Sequence, residues 1–276
     1  MFNESSVDPK RALEELFGAD KYAIGMVHLL PLPGSPRWAG EMDQVLERAV
    51  CDAQALARGG MDGLIVENFG DAPFCKDRVE AHTVSAMTLA VAAVRDAVGI
   101  PVGVNVLRND SKSAMAIASV TGASFIRVNV HTGAMVTDQG IVEGSAHHTL
   151  RYRRELGADI RLLADVLVKH AIPLGALGIE QAARDAAYRG LADAIIVTGA
   201  RTGEATDTED VIRAREAVPE YPVLVGSGVH EGNVAKLLYV ADGVIVGTSL
   251  KEGGVAANPV DETRVAGLAA LVRELR

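Results

Sequence analysis

Cysteine is nearly missing: Cys51 and Cys75 are the two in 276 residues, too few for a disulfide framework or a cysteine-rich metal centre. Cys51 falls in a helical stretch, where it reads as a small buried apolar residue. The histidines show no H-x-H or H-E-x-x-H spacing, so a histidine-rich zinc site has no sequence support. Basic charge is short as well, with 27 Lys and Arg against 36 Asp and Glu and a formal net charge of −9. Covering nucleic-acid phosphates needs a basic surface, which argues against a nucleic-acid partner and leaves room for a small basic pocket. No apolar run approaches the roughly 20 residues of a membrane span. The opening MFNESSVDPKRALEELFG lacks the apolar centre of a signal peptide. Together these absences give a cytoplasmic expectation.

Aromatic residues make up 4% of the chain, while 49% is hydrophobic, mainly Ala, Val, Leu and Ile. That balance suits buried parallel strands beneath Ala-rich helices. Short aliphatic runs at 22–28, 63–67, 102–106, 125–129, 160–165, 194–198, 223–226 and 243–247 are bounded by glycine and polar residues, as buried strands are. Between them lie helical patterns. Val45, Leu46, Ala49, Val50, Ala53, Leu56 and Ala57 fall at helical spacing before Gly59-Gly60. Asp207 can cap a helix carrying Val211, Ile212 and Ala214, and Pro259 and Asp261 introduce a last helix with Val265, Leu268, Leu271 and Val272 inward. Repeated strand–helix units with short joints predict a single (β/α)8 TIM barrel over residues 1–276, preceded by a short helical extension at 8–17. A doubly wound open sheet is the rival. Its glycine-rich dinucleotide turn is absent, since the first strand runs into HLLPLPGSP.

In such a barrel the strand ends converge on one mouth. The polar residues there are His28, Glu67, Asn68, Asn105, Arg108, Arg127, Asn129, His131, Asp165, Thr198-Gly199, Gly226-Ser227-Gly228 and Gly247-Thr248-Ser249. Any one of them could be a local cap. The last two turns carry the strongest signal. Gly226, Gly228 and Gly247 permit close approach of an anion to backbone N–H groups, and Ser227, Thr248 and Ser249 add hydroxyl donors, so a phosphate is expected there; the alternative is simple tight turns. Glu67 and Asp165 could divide acid and base roles or hold a divalent cation such as magnesium. Arg127 could instead ion-pair one of them.

Asn105 and Asn129 read as orienting amides, His131 as the acid/base histidine or a helix cap. Asn68, Asp71, Thr198 and Gly199 read as ligand-facing, and Arg108, Arg127 and Lys169 as groups meeting a substrate anion. Lys169 also invites an imine-forming reading, against that of a surface lysine. The glycine-rich 133–144 stretch reads as a mobile lid, and Thr202-Gly203 as a ligand-facing loop.

With these residues in view, the sequence resembles the BtpA/SgcQ family. The matching segments are MVHLLPLPGSP, GLIVENFGDAPF, VGVNVLRND, FIRVNVHTGAMVTDQG, LLADVLVKHAIPL, VTGARTG, VLVGSGVHEGNV and ADGVIVGTSLK, which run from the first strand to the last helix. The resemblance implies a barrel related to phosphate-binding enzymes, with matches at Glu67, Asn68, Asp71, Asn105, Arg108, Asn129, Asp165, Lys169, Gly226, Gly228 and Gly247. The family takes its name from photosystem I biogenesis, and no pigment motif or membrane helix here points to that role. The leading expectation is a cytosolic enzyme acting on a small phosphorylated metabolite, a sugar phosphate or nucleotide-derived compound, by isomerase or lyase chemistry in preference to hydrolysis. A non-catalytic assembly or regulatory factor using the barrel as a platform is the alternative, and a flavin enzyme is a third. A homo-oligomer is also expected.

Overall fold

Aliphatic runs and amphipathic segments alternate along the chain as strands and helices in a computed structural model, which describes residues 8–199 and 206–276. Helix α1 (Pro9–Phe17) leads into β1 (Tyr22–His28), α2 (Met42–Gly59), β2 (Gly63–Glu67), α3 (Ala81–Ala97), β3 (Val102–Asn105), α4 (Ser111–Thr121) and β4 (Phe125–Val128). A hairpin follows, β5 (Ala134–Thr137) and β6 (Gly140–Glu143), then α5 (Ala146–Glu155), β7 (Arg161–Val166) and the short β8 (Ala171–Pro173). The remainder is α6 (Ile179–Arg184), β9 (Ala194–Val197), α7 (Thr208–Ala217), β10 (Val223–Val225), α8 (Val234–Val240), β11 (Gly243–Val246) and α9 (Glu262–Arg273). Eight parallel strands close into a barrel in the order β1-β11-β10-β9-β7-β4-β3-β2. These are the eight runs read from the sequence, and the fold is the (β/α)8 barrel.

Two faces of each strand are buried, which is why the runs are continuously apolar. One set, including Val27, Leu64, Val104 and Val244, packs beneath the helices. The alternate set, including Ile24, Ile65, Phe125, Leu163, Ile196, Leu224 and Ile245, fills the barrel together with Leu13 and Phe17 of α1. Three aromatics, Phe17, Tyr22 and Phe125, meet at that floor. Phe17 stacks on Tyr22 with ring centroids 4.6 Å apart and meets Phe125 edge-on at 5.5 Å. Glycine makes the space: a Cβ at Gly103 would stand 2.3 Å from the Phe125 ring, and one at Gly243 2.4 Å from the Tyr22 ring.

Asp207 caps α7 by accepting from Glu209 N at 3.0 Å, and Asp261 caps α9 by accepting from Thr263 N at 2.9 Å, as their positions predict. Cys51 is a correction, since it is exposed on α2. The 133–144 stretch, read as a lid, is a hairpin. Its backbone is regular, and β5 pairs antiparallel with both β6 and β8 in a small sheet. The turn is set by Gly140 at φ 94° and by Thr137 Oγ1 donating to the Gly140 carbonyl at 2.9 Å. Thr202-Gly203 lies outside the described residues.

Candidate functional site

Side-chain period two decides what enters the barrel mouth. His28 shares parity with Ile24, Glu67 with Ile65, Arg127 and Asn129 with Phe125, and Asp165 with Leu163, all interior positions. Polar residues thus continue the interior columns upward from the apolar floor.

The two acids end in different surroundings. Glu67, buried at the end of β2, accepts from Asn105 Nδ2 at 2.6 Å through Oε2, while its Oε1 lies 3.8 Å from His28 Nε2. Asp165 accepts three hydrogen bonds from two residues. Arg127 Nε and Nη2 donate to its two oxygens at 3.0 Å each, and Asn129 Nδ2 donates to Oδ2 at 2.8 Å. That fork is the ion pair read as the alternative role of Arg127, and it holds both oxygens of Asp165. Among the described residues no group of three or more His, Cys, Asp or Glu side chains could hold a metal ion.

His28 is a residue the sequence reading placed at a strand end without giving it a role. Its ring stacks on Phe69 at 4.4 Å, and Nδ1 lies 3.3 Å from the Ala256 carbonyl. Burial first, and the charge of Lys251 second, bring its pKa down to about 3, so the imidazole is neutral. Donation from Nδ1 to Ala256 would leave Nε2 as an acceptor beside Glu67. His131 was expected in this place. It lies instead outside both mouth cavities, with Nε2 2.8 Å from the Gly190 carbonyl, on a cleft shared with His147 and Arg151.

Two cavities open on the mouth. The smaller, about 160 Å³, is lined by Gly226, Ser227, Gly228, Gly247, Thr248 and Ser249, so the two glycine turns do come together. Among the described residues no backbone carbonyl accepts from the N–H of Gly228, Thr248 or Ser249. Ser249 is less available than expected, because its hydroxyl donates to the Val229 carbonyl at 2.6 Å. The larger cavity, about 630 Å³, is lined by Arg37, Phe74, Arg108, Asn129 and His170, with Asp138 from the β5–β6 turn. Glu67, Phe69, Arg127 and Lys169 line both.

Lys169 is therefore a mouth residue and not a surface one. Its backbone is held by donation from its N–H to Thr198 Oγ1 at 3.0 Å and by Arg108 Nη2 donating to its carbonyl at 2.7 Å. Leu167 and His170 beside it have φ of 47° and 58°, a conformation that is strained for such side chains. Burial, then Arg127, lowers the Lys169 pKa, against the opposing pull of Glu67 and Asp165. Four other expected ligand-facing residues act behind the wall. Asn68 accepts from Leu107 N at 2.7 Å and donates to Asp71, which accepts from Leu32 N at 2.8 Å. Burial raises the Asp71 pKa. Thr198 holds Lys169, and Gly199 N donates to Ser227 Oγ at 2.6 Å. None of the four lines either cavity.

One feature had no sequence signal. Lys251, fully buried, donates to Asp52 of α2 at 2.8 Å, while Val260 N donates to the same carboxylate at 2.8 Å. This ties the segment after the Thr248 turn to the helix layer.

A closed parallel barrel with polar strand ends and paired cavities at its carboxyl mouth is the architecture of ligand-binding (β/α)8 proteins. The chain belongs to the BtpA family, whose model matches residues 19–274. It is 54% identical over 253 residues to the Photosystem I biogenesis protein BtpA of Synechocystis sp., covering 92% of this chain and 88% of that protein. The native KDPGal structure superposes with a TM-score of 0.59 at 13% identity, covering 91% of this chain and 94% of that one. N-(5'-phosphoribosyl)anthranilate isomerase from Pyrococcus furiosus gives 0.55 at 13% identity, covering 92% and 99%. At such identity the two structures share the fold alone. Among the described residues no helix is long and apolar enough to cross a membrane.

Proposed function

We propose that this barrel is an enzyme for a small phosphorylated metabolite and that it moves a proton at a carbon near the barrel axis, the step that isomerases and lyases share. The observation that carries this reading is the junction of the two cavities. A phosphate over the turns after β10 and β11 would leave the rest of the molecule in the larger chamber, which has the size usual for small-molecule sites, roughly 300–1,000 Å³. Glu67 stands where the two meet. With Oε2 held by Asn105, it is positioned to take a proton, while neutral His28 accepts a hydrogen bond from the substrate. Lys169 faces the oxygen on which charge would develop. A magnesium ion carried in by the phosphate would find Glu67 as its protein ligand. The isomerase of the same fold, named for a phosphoribosyl compound, agrees with a phosphorylated substrate.

The test is a thermal-shift comparison of phosphorylated metabolites with their dephosphorylated counterparts, with and without magnesium. Ligands that bind only the folded protein raise Tm. We expect stabilisation by one phosphorylated class, lost in Gly228→Asp. A broad panel without any selective shift would overturn the proposal.

A second reading, a binding platform, draws on the outer face of the small sheet. Val136 stands between Ile141 and Ile172 in register, and all three are exposed. This row is also where self-association into a homo-oligomer would form. On that reading Ile172→Lys abolishes function and Glu67→Gln does not.

A further inference from the structure

We propose that Arg108 is a second anion-binding point, so that the metabolite carries a carboxylate or a second phosphate at the end remote from the glycine turns. This rests on the phosphate reading of the smaller cavity.

The argument begins with charge. Arg108 is 5% exposed and lines the larger cavity. No acid among the described residues lies in ion-pair range of it, unlike Arg127, whose carboxylate partner is Asp165. Its Nε is buried with no hydrogen-bond partner. A guanidinium cannot shed its proton to escape that cost, so a buried one normally has an anion beside it. Glu67 and Asp138 line the same chamber and, with Asp165, act on Arg108 through space without forming an ion pair. The residue is also held in place. Its N–H donates to the Cys75 carbonyl at 2.9 Å, and Nη2 donates to the Lys169 carbonyl at 2.7 Å. That leaves a desolvated guanidinium with an unpartnered Nε on a residue that lines the cavity, the chemistry that suits an oxyanion.

Location gives the substrate class. Arg108 lines the larger cavity and not the smaller, whereas Glu67 and Lys169 line both. A molecule reaching from the glycine turns past Glu67 therefore presents its far end to Arg108. Two anionic ends with the reacting carbon between them fit this order of groups.

The experiment measures Kd by calorimetry for matched pairs that differ in the second anion. The pairs are 3-phosphoglycerate with glycerol 3-phosphate, 6-phosphogluconate with glucitol 6-phosphate, and fructose 1,6-bisphosphate with fructose 6-phosphate. The first two pairs report on a carboxylate and the third on a phosphate. In at least one pair the doubly anionic member should bind about tenfold tighter or more, the scale of a charge-assisted contact. In Arg108→Met that preference should vanish while the singly anionic member still binds. Arg108→Gln, which keeps a donor for the Lys169 carbonyl, provides the same comparison should the Met variant not fold. Equal affinities within every pair, or a preference surviving in both variants, would overturn the second anion point. Loss of binding by all six compounds and by inorganic phosphate would overturn the phosphate subsite along with it.

Discussion

Glu67 and Asp165 offer the same carboxylate at the same height in the barrel, and their neighbours separate them. A bidentate arginine and an amide occupy both oxygens of Asp165, whereas Glu67 has one oxygen on Asn105 and the other toward His28 and the cavities. Glu67→Gln should therefore lower turnover by about 10²–10⁴, the usual worth of a positioned acid or base, with little change in melting temperature. Asp165→Asn should do the reverse in denaturant titration. It strands Arg127 without a counter-charge, a loss of about 3–5 kcal/mol. Similar destabilisation by both variants would remove the distinction. His28 carries a pH signature. In the unfolded chain it returns to its ordinary 6.5, while the folded protein holds it at about 3. Between those values the unfolded state binds the extra proton, so stability is complete above pH 6.5 and declines as pH falls toward 3. His28→Gln should flatten that acid limb in unfolding midpoints measured from pH 7 to pH 4.

At the scale of elements, the strands were legible because a parallel strand buried on both faces must be a short aliphatic run, and all eight such runs are barrel strands. Parity within those runs also marks Glu67 and Arg127 as interior. An ion pair of Arg127 with Glu67 or Asp165 was legible, and which of the two acids it takes was not, because that depends on which strands lie side by side. Arg127 on β4 and Asp165 on β7 meet across a hairpin and a helix that intervene in the chain. His131 misled because it lies beyond the last residue of β4, where strand parity no longer governs and the chain has turned toward Gly190. The hairpin lies in the glycine-rich stretch read as a lid, whose composition carries no strand signal. One element-level prediction concerns the closest approach inside the barrel. Gly103→Ala puts a methyl against the Phe125 ring and should cost about 1–3 kcal/mol, seen as a lower urea midpoint with an unchanged slope.

Taken whole, the molecule separates a dry end from a wet one. Apolar side chains fill the amino-terminal half of the barrel, and the chargeable groups collect at the carboxyl mouth. Helix α1 packs Leu13 and Phe17 against Tyr22 and Phe125 at the floor, which makes the barrel a cup with a stopper and not a tunnel. Traffic then has to pass the rim in both directions. On the proposed reading, a product still seated on the turns would stand in the doorway of the next substrate, so product inhibition should be competitive and release past the β5–β6 tip should set the pace when chemistry is fast.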